Sequence, residues 1–391
     1  MSFTDSEVAA IRSRFPVFKN KVYLNSCSQG ALSGAVESGL REYIESWHEF
    51  GSPWDVWTEK YHDARAVFAD FIGARPEEVA VVASASAGIN SIASALKFDR
   101  RSKVVLGEYE FPTMCHVWLA QQNRGARVEF LEGVDNRIPV ESYERAIDRD
   151  TLIVPLTQVS FINGNRSDVA AITEAAHARG AMVMLDSYQD CGTRPIEVKK
   201  MGVDFMVSGT LKYLLGPPGL AFLYVSSDLI SALEPQITGW FAQPDPFEFN
   251  SRVNAPAPTA RRFEAGTPPI PNIYAAVAGI KLLKETGLER IASHIGRLAQ
   301  KLIQGARSLG IQSKTAADSA GPLVVLKSKD AAGLVAELAK RDIVVSNRRD
   351  GLRLAFHLYN TSEDVDRVLL ALKENLDYFE RVSKLGSVSR D

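Results

Sequence analysis

The segment 181–225, AMVMLDSYQDCGTRPIEVKKMGVDFMVSGTLKYLLGPPGLAFLYV, holds the clearest indication of the fold. It contains three short apolar runs, AMVML, DFMVSG and GLAFLYV, and each run predicts a β-strand. The first run ends at Asp186, and Lys212 follows shortly after the second. Runs that are apolar on both faces are typical of strands covered by helices on both sides, as in parallel sheets. We therefore expect Asp186 and Lys212 at the carboxyl edge of such a sheet, where ligands bind.

Upstream of this segment, apolar runs alternate with segments of helical period from about residue 79 onward. The predicted strands are VAVVAS, KVVLGE and TLIVPLTQVS, and the predicted helices are AGINSIASAL, TMCHVWLAQQNRG and SDVAAITEAAHARG. Alternation of this kind is typical of crossover units in a parallel sheet. The sequence therefore predicts an α/β fold whose large domain has a mostly parallel sheet flanked by helices.

A smaller C-terminal α/β domain is predicted downstream. Residues from about Pro235 to Pro271 are irregular and rich in proline and aromatic side chains, which indicates a long connection between domains. After it come two predicted helices, NIYAAVAGIKLLKETG and Leu288 to Ser308, and a strand-helix-strand set that ends in SEDVDRVLLALKENLDYF. We predict a large domain over residues 31–270 and a small domain over residues 271–391, with a frayed tail SKLGSVSRD.

The overall composition restricts the classes of function. With 45 basic and 47 acidic residues, a formal net charge of -2 and no long like-charge run, the chain lacks the charge pattern of a nucleic-acid binder. Cys27, Cys115 and Cys191 fit neither a disulfide framework nor a zinc site. No segment has 18 uninterrupted apolar residues, and the N-terminus lacks the pattern of an export signal. We expect a cytoplasmic enzyme acting on a small molecule, with no metal and no nucleic-acid or membrane partner.

Lys212 and Asp186 carry the chemistry of most interest. Lys212 lies between an apolar strand and a turn rich in glycine and proline, which directs its amine into a cleft unless it is an ordinary surface lysine. Asp186 ends a buried run, so we expect a cationic group nearby that offsets the cost of burying its charge. The structural alternatives are that Asp186 caps the next turn or forms an ordinary ion pair with an arginine. With the serine-rich turn before AGINSIASAL, these residues form the set that pyridoxal 5'-phosphate (PLP) requires. The lysine forms a Schiff base, the carboxylate keeps the pyridine nitrogen protonated, and a helix N-terminus binds the phosphate.

At these residues the sequence resembles the class V branch of PLP enzymes, which includes cysteine desulfurases, kynureninases, several lyases and aminotransferases. The resemblance is carried by the segment 186–225, by RFEAGTPPIPN and by RLAFHLYNTSEDVDRV, and it extends over nearly the whole chain. It implies the aspartate-aminotransferase-like fold, fold type I, with PLP as the cofactor. It also implies that Lys212 carries the cofactor, that Asp186 binds the pyridine nitrogen, and that residues 1–30 pack over the active site.

By this resemblance, several hydroxyl and backbone groups contact the phosphate of the cofactor. Ala85 and Ser86 bind it at the start of a helix, although Ser86 is also an ordinary candidate for an N-cap. Ser208 and Thr210 flank the approach to Lys212, where they reach the phosphate or else tie down a turn.

The resemblance also implies contacts with the cofactor ring. Phe111, in EFPT, aligns with the residue that stacks on the ring, whereas a lone phenylalanine is more often part of a core. Gln189 matches the position that contacts the phenolic oxygen of the ring or the Schiff base. Thr157 or Ser160 reaches the same edge of the ring, and the alternative for all three polar residues is an ordinary turn.

The resemblance implies that five further residues either contact the cofactor of the partner subunit or contact the substrate. Trp240 and Thr267 correspond to residues that the second subunit contributes to the phosphate in relatives, which implies a homodimer with shared active sites. Arg353 is placed to bind the α-carboxylate of an amino-acid substrate with its planar guanidinium, unless it forms a structural salt bridge. Asn25 and Gln29 belong to the N-terminal segment and are implied as substrate contacts.

The resemblance leaves several reactions open. A cysteine desulfurase needs a cysteine on the loop before the carboxylate-binding arginine, and VVSNRRDGLR has none, so a persulfide-forming desulfurase is not expected. The segments EFPT, TGWF, KYLLGPPG, GTPPI and HLYN are most similar to kynureninase, which suggests cleavage at the β-carbon. Leu211, Met114 and Gln189 replace that family's tyrosine, aspartate and histidine, so hydrolysis of kynurenine itself is not expected.

We predict a lyase that cleaves a C–S or C–C bond at the β-carbon of an L-amino acid, with an aminotransferase as the second choice and an epimerase as the third. A binding module without activity would not need the lysine.

Overall fold

The structure is a computed structural model that describes residues 3–380. The tail that is predicted to be frayed, and with it the end of the predicted small domain, lies outside the described residues. The strands are β1 (Val22–Tyr23), β2 (Val79–Val82), β3 (Lys103–Gly107), β4 (Arg127–Leu131), β5 (Thr151–Thr157), β6 (Met182–Asp186), β7 (Phe205–Gly209), β8 (Ala221–Val225), β9 (Leu323–Lys327), β10 (Ile343–Val344), β11 (Ser346–Arg348) and β12 (Gly351–Ala355). The α-helices are α1 (Asp5–Ser13), α2 (Gly34–Phe50), α3 (Trp54–Phe71), α4 (Ala85–Ala95), α5 (Pro112–Ala120), α6 (Val140–Ala146), α7 (Val169–His177), α8 (Val198–Met201), α9 (Ser227–Ile230), α10 (Ile270–Thr286), α11 (Leu288–Ser308), α12 (Ala331–Ala339) and α13 (Ser362–Lys373).

A seven-stranded sheet forms the centre of the molecule, in the order β2-β8-β7-β6-β5-β3-β4. Its strands run parallel except for β8, which is antiparallel to both of its neighbours. Alternate residues of β6 enter two different cores, because Val183 and Leu185 pack into one and Met184 packs into the other. The sheet is therefore covered by helices on both faces, which confirms the predicted α/β fold.

Strand β4 is the edge strand that the sequence pattern does not predict. It pairs with β3 in parallel over Arg127 to Leu131, and most of its side chains are exposed. An edge strand does not need to bury both faces, so its sequence, RVEFL, has charged residues where central strands have apolar ones. Apolar runs therefore indicate the buried strands of this sheet, including β2 at its other edge, and miss the exposed edge strand β4.

The helices agree with the periodicity of the sequence. Helix α11 spans Leu288–Ser308 as predicted, and its buried side chains include Ile291, Ile295, Leu298 and Leu302, which share one face. The irregular segment between about residues 235 and 271 contains three short 3-10 helices and no α-helix before α10. Within residues 3–380, no helix combines the length and the apolar character that crossing a membrane requires.

The N-terminal segment joins the C-terminal part of the chain. Strand β1 pairs in parallel with β10, and Asn25 forms a bridge with Ala355 at the end of β12. Strands β11, β12 and β9 form a separate antiparallel sheet, in that order, where the sequence predicts only a strand-helix-strand set. The predicted boundary between the domains at residue 270 stays a prediction.

Candidate active site

A cavity of about 320 Å³ lies at the carboxyl edge of the central sheet. Strands β5 and β6 end there, and the chain after β7 enters it at Lys212. Eight residues predicted for the site line this cavity: Ala85, Ser86, Phe111, Thr157, Asp186, Gln189, Lys212 and Arg353. A larger cavity of about 760 Å³ lies between residues 238 and 255, and none of these eight residues borders it. The chemistry is therefore concentrated in the smaller cavity.

The amine of Lys212 lies among aromatic rings. Its Nζ is 4.3 Å from the ring centre of Tyr188 and 5.6 Å from that of Phe111. The pKa of Lys212 is lowered to about 8, mainly by burial and in smaller part by the charge of Arg353, while Asp186 acts in the opposite direction. A substantial fraction of this amine is therefore neutral near physiological pH, as a nucleophile or a base requires.

Asp186 is a buried carboxylate with little compensation. Its Oδ1 accepts a hydrogen bond from the backbone N–H of Tyr188 at 2.9 Å. Burial raises the pKa of Asp186, and the hydrogen bond from Tyr188 and the charge of Lys212 only partly offset this effect. It forms no ion pair with a basic side chain of residues 3–380. A protonated ring nitrogen at this position would supply the missing partner.

The first turn of α4 forms a third wall of the cavity. Ser84 caps the helix by accepting the N–H of Ala87 at 3.1 Å, and the hydroxyls of Ser86 and Thr113 lie 3.2 Å apart. The first N–H groups of a helix lack partners within the helix and attract anions. The N-cap is therefore Ser84, so the alternative that Ser86 caps the helix is wrong, and Ser86 lies in the first turn, where its contact with a phosphate stays a prediction.

The edge of the cavity near Gln189 carries two aromatic rings and an unpaired amide oxygen. Phe111 is 40% exposed, and its ring meets that of Phe161 edge to face at 5.0 Å, so it is not a core phenylalanine. The Nε2 of Gln189 donates to the carbonyl of Cys27 at 3.1 Å, while its Oε1 is buried without a partner in the described chain. The N–H of Thr157 is held by a side-chain oxygen of Glu110 at 3.1 Å.

Arg353 is a buried cation without an acidic partner. It is 1% exposed, and its Nη2 donates to the hydroxyls of Ser28 at 2.8 Å and Ser346 at 3.0 Å. Its Nη1 donates to the carbonyl of Phe161 at 3.3 Å, and its Nε has no partner in the part of the chain that the structure describes. No acid among residues 3–380 pairs with it, so the alternative of a structural salt bridge has no support. A guanidinium in this state is suited to bind a carboxylate of a ligand.

Three residues predicted to contact the cofactor do not border the cavity. Ser160 is buried and lines a neighbouring cavity of about 610 Å³. The hydroxyl of Ser208 donates to the carbonyl of Gly209 at 3.3 Å, and that of Thr210 donates to the carbonyl of Pro217 at 2.7 Å. Ser208 and Thr210 thus tie down the turn before Lys212 in this single chain.

The residues predicted for the partner subunit and for the N-terminal segment also lie outside the cavity wall. Trp240 and Thr267 are on adjoining segments, because the N–H of Phe241 donates to the carbonyl of Ala265 at 3.2 Å. Asn25 is half-buried where it bridges to β12, and Gln29 is exposed. Their predicted roles therefore depend on a second subunit or on a movement of the segment.

The cavity is also lined by residues that the sequence does not predict for the site, among them Tyr188, Cys27 and Arg348. Tyr188 packs against Gly209, where any Cβ atom would overlap its ring, and so turns towards Lys212. Cys27 is 1% exposed and borders the cavity as well as packing in a small apolar cluster. Arg348 lines the cavity from β11. The one available indication for Arg348 is its spacing in VVSNRRDGLR, which places it two residues after Ser346 on a strand.

The cavity fits PLP group by group. The start of α4 suits a phosphate, Asp186 suits a pyridinium nitrogen, and the neutral form of the Lys212 amine suits an aldehyde. An α/β fold with these groups at the edge of its sheet defines a PLP-dependent enzyme of fold type I.

Comparison of sequences identifies the family. The chain belongs to the class V aminotransferase family, described as "Aminotransferase class-V", whose profile matches residues 44–368. PLP is the cofactor of this family and therefore of this protein. An aminotransferase of Bacillus subtilis, YcbU, itself uncharacterized, is 36% identical over 90% of this chain and 94% of its own. A kynureninase of Deinococcus radiodurans is 30% identical over 94% of this chain and 93% of its own.

Solved structures at lower identity share the fold. An apo cysteine desulfurase from Thermococcus onnurineus NA1 gives a TM-score of 0.86 at 24% identity, covering 96% of this chain and 100% of that chain. A mutant of C-DES with glycine covalently linked to its PLP cofactor gives 0.87 at 18% identity, covering 93% of this chain and 99% of that chain. At these identities the similarity establishes the fold and no more.

Proposed function

We propose that this protein is a PLP-dependent lyase that cleaves a C–S or C–C bond at the β-carbon of an L-amino acid. The observation that carries the proposal is the single cavity shared by Lys212, Asp186 and Arg353. The choice of a lyase is supported by the relative named kynureninase, which is 30% identical over 94% of this chain.

The cavity walls would hold the cofactor at each of its functional groups. We assign the phosphate to the first turn of α4 at Ala85 and Ser86, the ring face to Phe111, and the ring nitrogen to Asp186. When bound, PLP supplies an aldehyde that reacts with amines and a ring that withdraws electrons from the substrate's α-carbon. Gln189, whose buried Oε1 has no partner in the described chain, is assigned to the polar edge of the ring.

Lys212 and Arg353 would act on the substrate. We assign the α-carboxylate to the guanidinium of Arg353, which fixes the orientation of the α-carbon in the cavity. The free amine of Lys212 would be suited to take the proton from that carbon, because its pKa of about 8 leaves it partly neutral. The carboxylate of Asp186 would stabilise a proton on the ring nitrogen.

Attachment of the cofactor is tested by reduction with borohydride. Reduction of the holoenzyme should fix PLP to the peptide that contains Lys212, as measured by mass spectrometry. The variant Lys212→Ala should carry no fixed cofactor. Fixation at another lysine would contradict the assignment of Lys212.

An aminotransferase is the second candidate, and it is favoured by the relative named as an aminotransferase at 36% identity. Incubation of the holoenzyme with a panel of L-amino acids, with and without keto acids, separates the two. A lyase should form its products without any acceptor: a keto acid and ammonia when the group on the β-carbon leaves with the bonding electrons, or alanine when the β-carbon keeps those electrons and is protonated. Strict dependence on a keto-acid acceptor would overturn the lyase. Loss of optical activity without any of these products would indicate the third choice, an epimerase.

We propose that no persulfide forms on the protein, although Cys27 borders the cavity. The thiol of Cys27 is 1% exposed and lies on the segment that bridges to β12, which leaves it little freedom to carry sulfur. Mass spectrometry after turnover of cysteine should show an unmodified Cys27, and a gain of one sulfur atom there would contradict this.

We also propose a homodimer whose sites are shared. Trp240 and Thr267 lie on adjoining segments and outside their own subunit's cavity, as expected for residues that serve a partner. Trp240 borders the surface cavity of about 760 Å³, and Phe249 nearby is 71% exposed. Burial of such apolar surface would favour association.

A further inference from the structure

We propose that the side chain of the substrate ends in an anionic group, a carboxylate or a sulfinate, and that Arg348 binds this group. The inference rests on the proposed function, because it requires an amino acid in the cavity with its α-carboxylate on Arg353. It names the class of substrate: an L-amino acid with a short acidic side chain.

The register of the β11–β12 hairpin directs both arginines to the cavity. Ser346 is the cross-strand partner of Arg353, and Arg348 is that of Gly351. Residues two apart on a strand share a face, so Arg348 lies on the same face as Ser346. The hydroxyl of Ser346 accepts a hydrogen bond from Arg353 at 3.0 Å, which places Ser346 and Arg353 together on that face. Arg348 and Arg353 accordingly line the same cavity.

The side-chain charges around the cavity do not balance. Lys212, Arg348 and Arg353 border it, whereas Asp186 is the acidic side chain that borders it within residues 3–380. The phosphate of the cofactor is assigned to the first turn of α4, Asp186 to the ring nitrogen and Arg353 to the α-carboxylate, so none of these groups serves as the counterion of Arg348. The Nη1 of Arg348 donates to the carbonyl of Asn347, its own neighbour, at 2.7 Å.

The surroundings of Arg348 favour an anion. Partial desolvation at the cavity wall lowers the pKa of Arg348, although the residue as a whole is exposed, and the positive charge of Arg353 lowers this pKa further. A negative group between the two guanidiniums would relieve this repulsion, and a guanidinium binds a carboxylate or sulfinate through two parallel hydrogen bonds. Arg348 is also exposed, so a ligand reaches it from solvent without rearrangement of the core.

The size of the cavity favours a short side chain. Its volume of about 320 Å³ has to hold the cofactor as well as the substrate. An acidic group one or two bonds beyond the β-carbon would satisfy Arg348 without needing the space that a long or aromatic side chain requires.

The test uses the holoenzyme and two ligands that lack an amine, succinate and butyrate, so that binding is measured without chemistry. They have the same number of carbon atoms and differ in the second carboxylate. Calorimetry on the wild type, Arg348→Gln and Arg349→Gln gives the dissociation constants. Arg349 is the matched control, because it is the adjacent arginine, it is exposed, and it does not border the cavity.

The wild type and Arg349→Gln should bind succinate about 10- to 100-fold more tightly than butyrate, the range expected for one charge-assisted interaction. Arg348→Gln should bind the two ligands about equally. Equal binding by the wild type would overturn the proposal. Equal weakening of both ligands in Arg348→Gln would also overturn it, because Arg348 would then serve the α-carboxylate.

A second arm separates this inference from the proposed function. L-Aspartate and L-asparagine have nearly the same shape, so a spectral response of the holoenzyme that prefers aspartate, and loses this preference in Arg348→Gln, reports the side-chain anion. If no amino acid changes the spectrum or gives a product, the proposed function fails, while the succinate comparison still decides whether a second anion site exists. A preference for asparagine would contradict the inference alone.

Discussion

The pKa of Lys212 gives the first prediction. Burial lowers this pKa to about 8, so its reactivity in the protein without cofactor should rise with pH around that value. Acetylation of the Lys212 peptide by acetic anhydride, followed by mass spectrometry from pH 6 to 11, should show half-maximal rate near pH 8. An exposed lysine would instead reach its half-maximal rate at about pH 10.4.

The variant Asp186→Asn is the control for this measurement. The charge of Asp186 raises the pKa of Lys212, so its removal should move the midpoint to lower pH. A midpoint that stays unchanged in Asp186→Asn would show that the two groups do not interact in solution.

Glu110 gives a second prediction, on stability. It is 5% exposed, one carboxyl oxygen accepts the N–H of Thr157 at 3.1 Å, and the other has no partner in the described chain. Burial raises the pKa of Glu110 well above its usual value, and the charge of Asp186 adds to this. A group with a raised folded-state pKa contributes its full stability at acidic pH, and this is lost as the pH rises through the raised value.

The variant Glu110→Gln keeps the acceptor for Thr157 and has no proton to lose. Its free energy of unfolding should therefore increase relative to that of the wild type as the pH rises, by about 1.4 kcal/mol for each unit of pKa shift, which means that the variant becomes relatively more stable. Urea unfolding of the holoenzyme between pH 5 and 9 measures this difference. A difference that is constant with pH would contradict a protonated Glu110.

At the scale of single residues, the sequence is sufficient to predict the positions of Lys212 and Asp186 at the edge of the sheet, because each comes at or just after the end of an apolar run. It is not sufficient for Tyr188 or Arg348. The direction of Tyr188 depends on the open space at Gly209, and that of Arg348 depends on the register of a hairpin. Neither is visible in the local pattern of apolar and polar residues.

At the scale of elements, the N-terminal segment is attached to the turn that carries Lys212, and this attachment gives a third prediction. The N–H of Gly30 donates to the carbonyl of Leu211 at 2.7 Å, and a Cβ at Gly30 would overlap the carbonyl oxygen of Lys212. Gly30→Ala should therefore displace the segment or the turn, with a loss of about 1–3 kcal/mol in stability. The midpoint temperature of thermal unfolding and the dissociation constant for PLP should both differ from those of the wild type.

Gly34→Ala is the matched control for Gly30→Ala. A Cβ at Gly34 would meet the carbonyl oxygen of Arg14 at 3.9 Å, which is an ordinary contact. Gly34→Ala should leave both thermal unfolding and PLP affinity close to those of the wild type. Equal effects of the two substitutions would show that attachment at Gly30 does not position Lys212.

The elements that the sequence predicts are those whose burial leaves a pattern. Helix α11 buries one face, and the central strands β5 to β7 are buried on both. Strand β4 is missed because it is exposed at the edge of the sheet. Strands β1 and β10 contain two residues each, which is too short for any period to be recognised.

At the scale of the whole molecule, the N-terminal and C-terminal parts of the described chain are in contact, which the local sequence pattern does not predict. Arg12 forms two hydrogen bonds with the carboxylate of Asp364, at 2.7 and 2.9 Å, and Val22 pairs with Ile343. Contacts between residues so distant in sequence depend on the complete fold, because no local pattern relates them. The arrangement holds the N-terminal segment beside the cavity.

The proposed sharing of sites between two subunits gives the last prediction. If Thr267 serves the partner's cofactor, a mixed dimer of Lys212→Ala and Thr267→Ala subunits contains one complete site, because an intact Lys212 on one subunit meets an intact Thr267 from the other. If Thr267 serves its own subunit, the mixed dimer contains no complete site. Random mixing of equal amounts should therefore restore about a quarter of all sites in the first case.

The restoration can be measured without knowledge of the substrate. Each parent is refolded alone and in an equal mixture with PLP, and cofactor retained after gel filtration is measured by absorbance. Retention in the mixture should exceed the mean of the two parents, because the restored sites combine the covalent bond to Lys212 with the phosphate contact of Thr267. Sedimentation should show dimers in all three samples. Retention equal to that mean, in samples that are dimeric, would place Thr267 in its own subunit's site or outside any site.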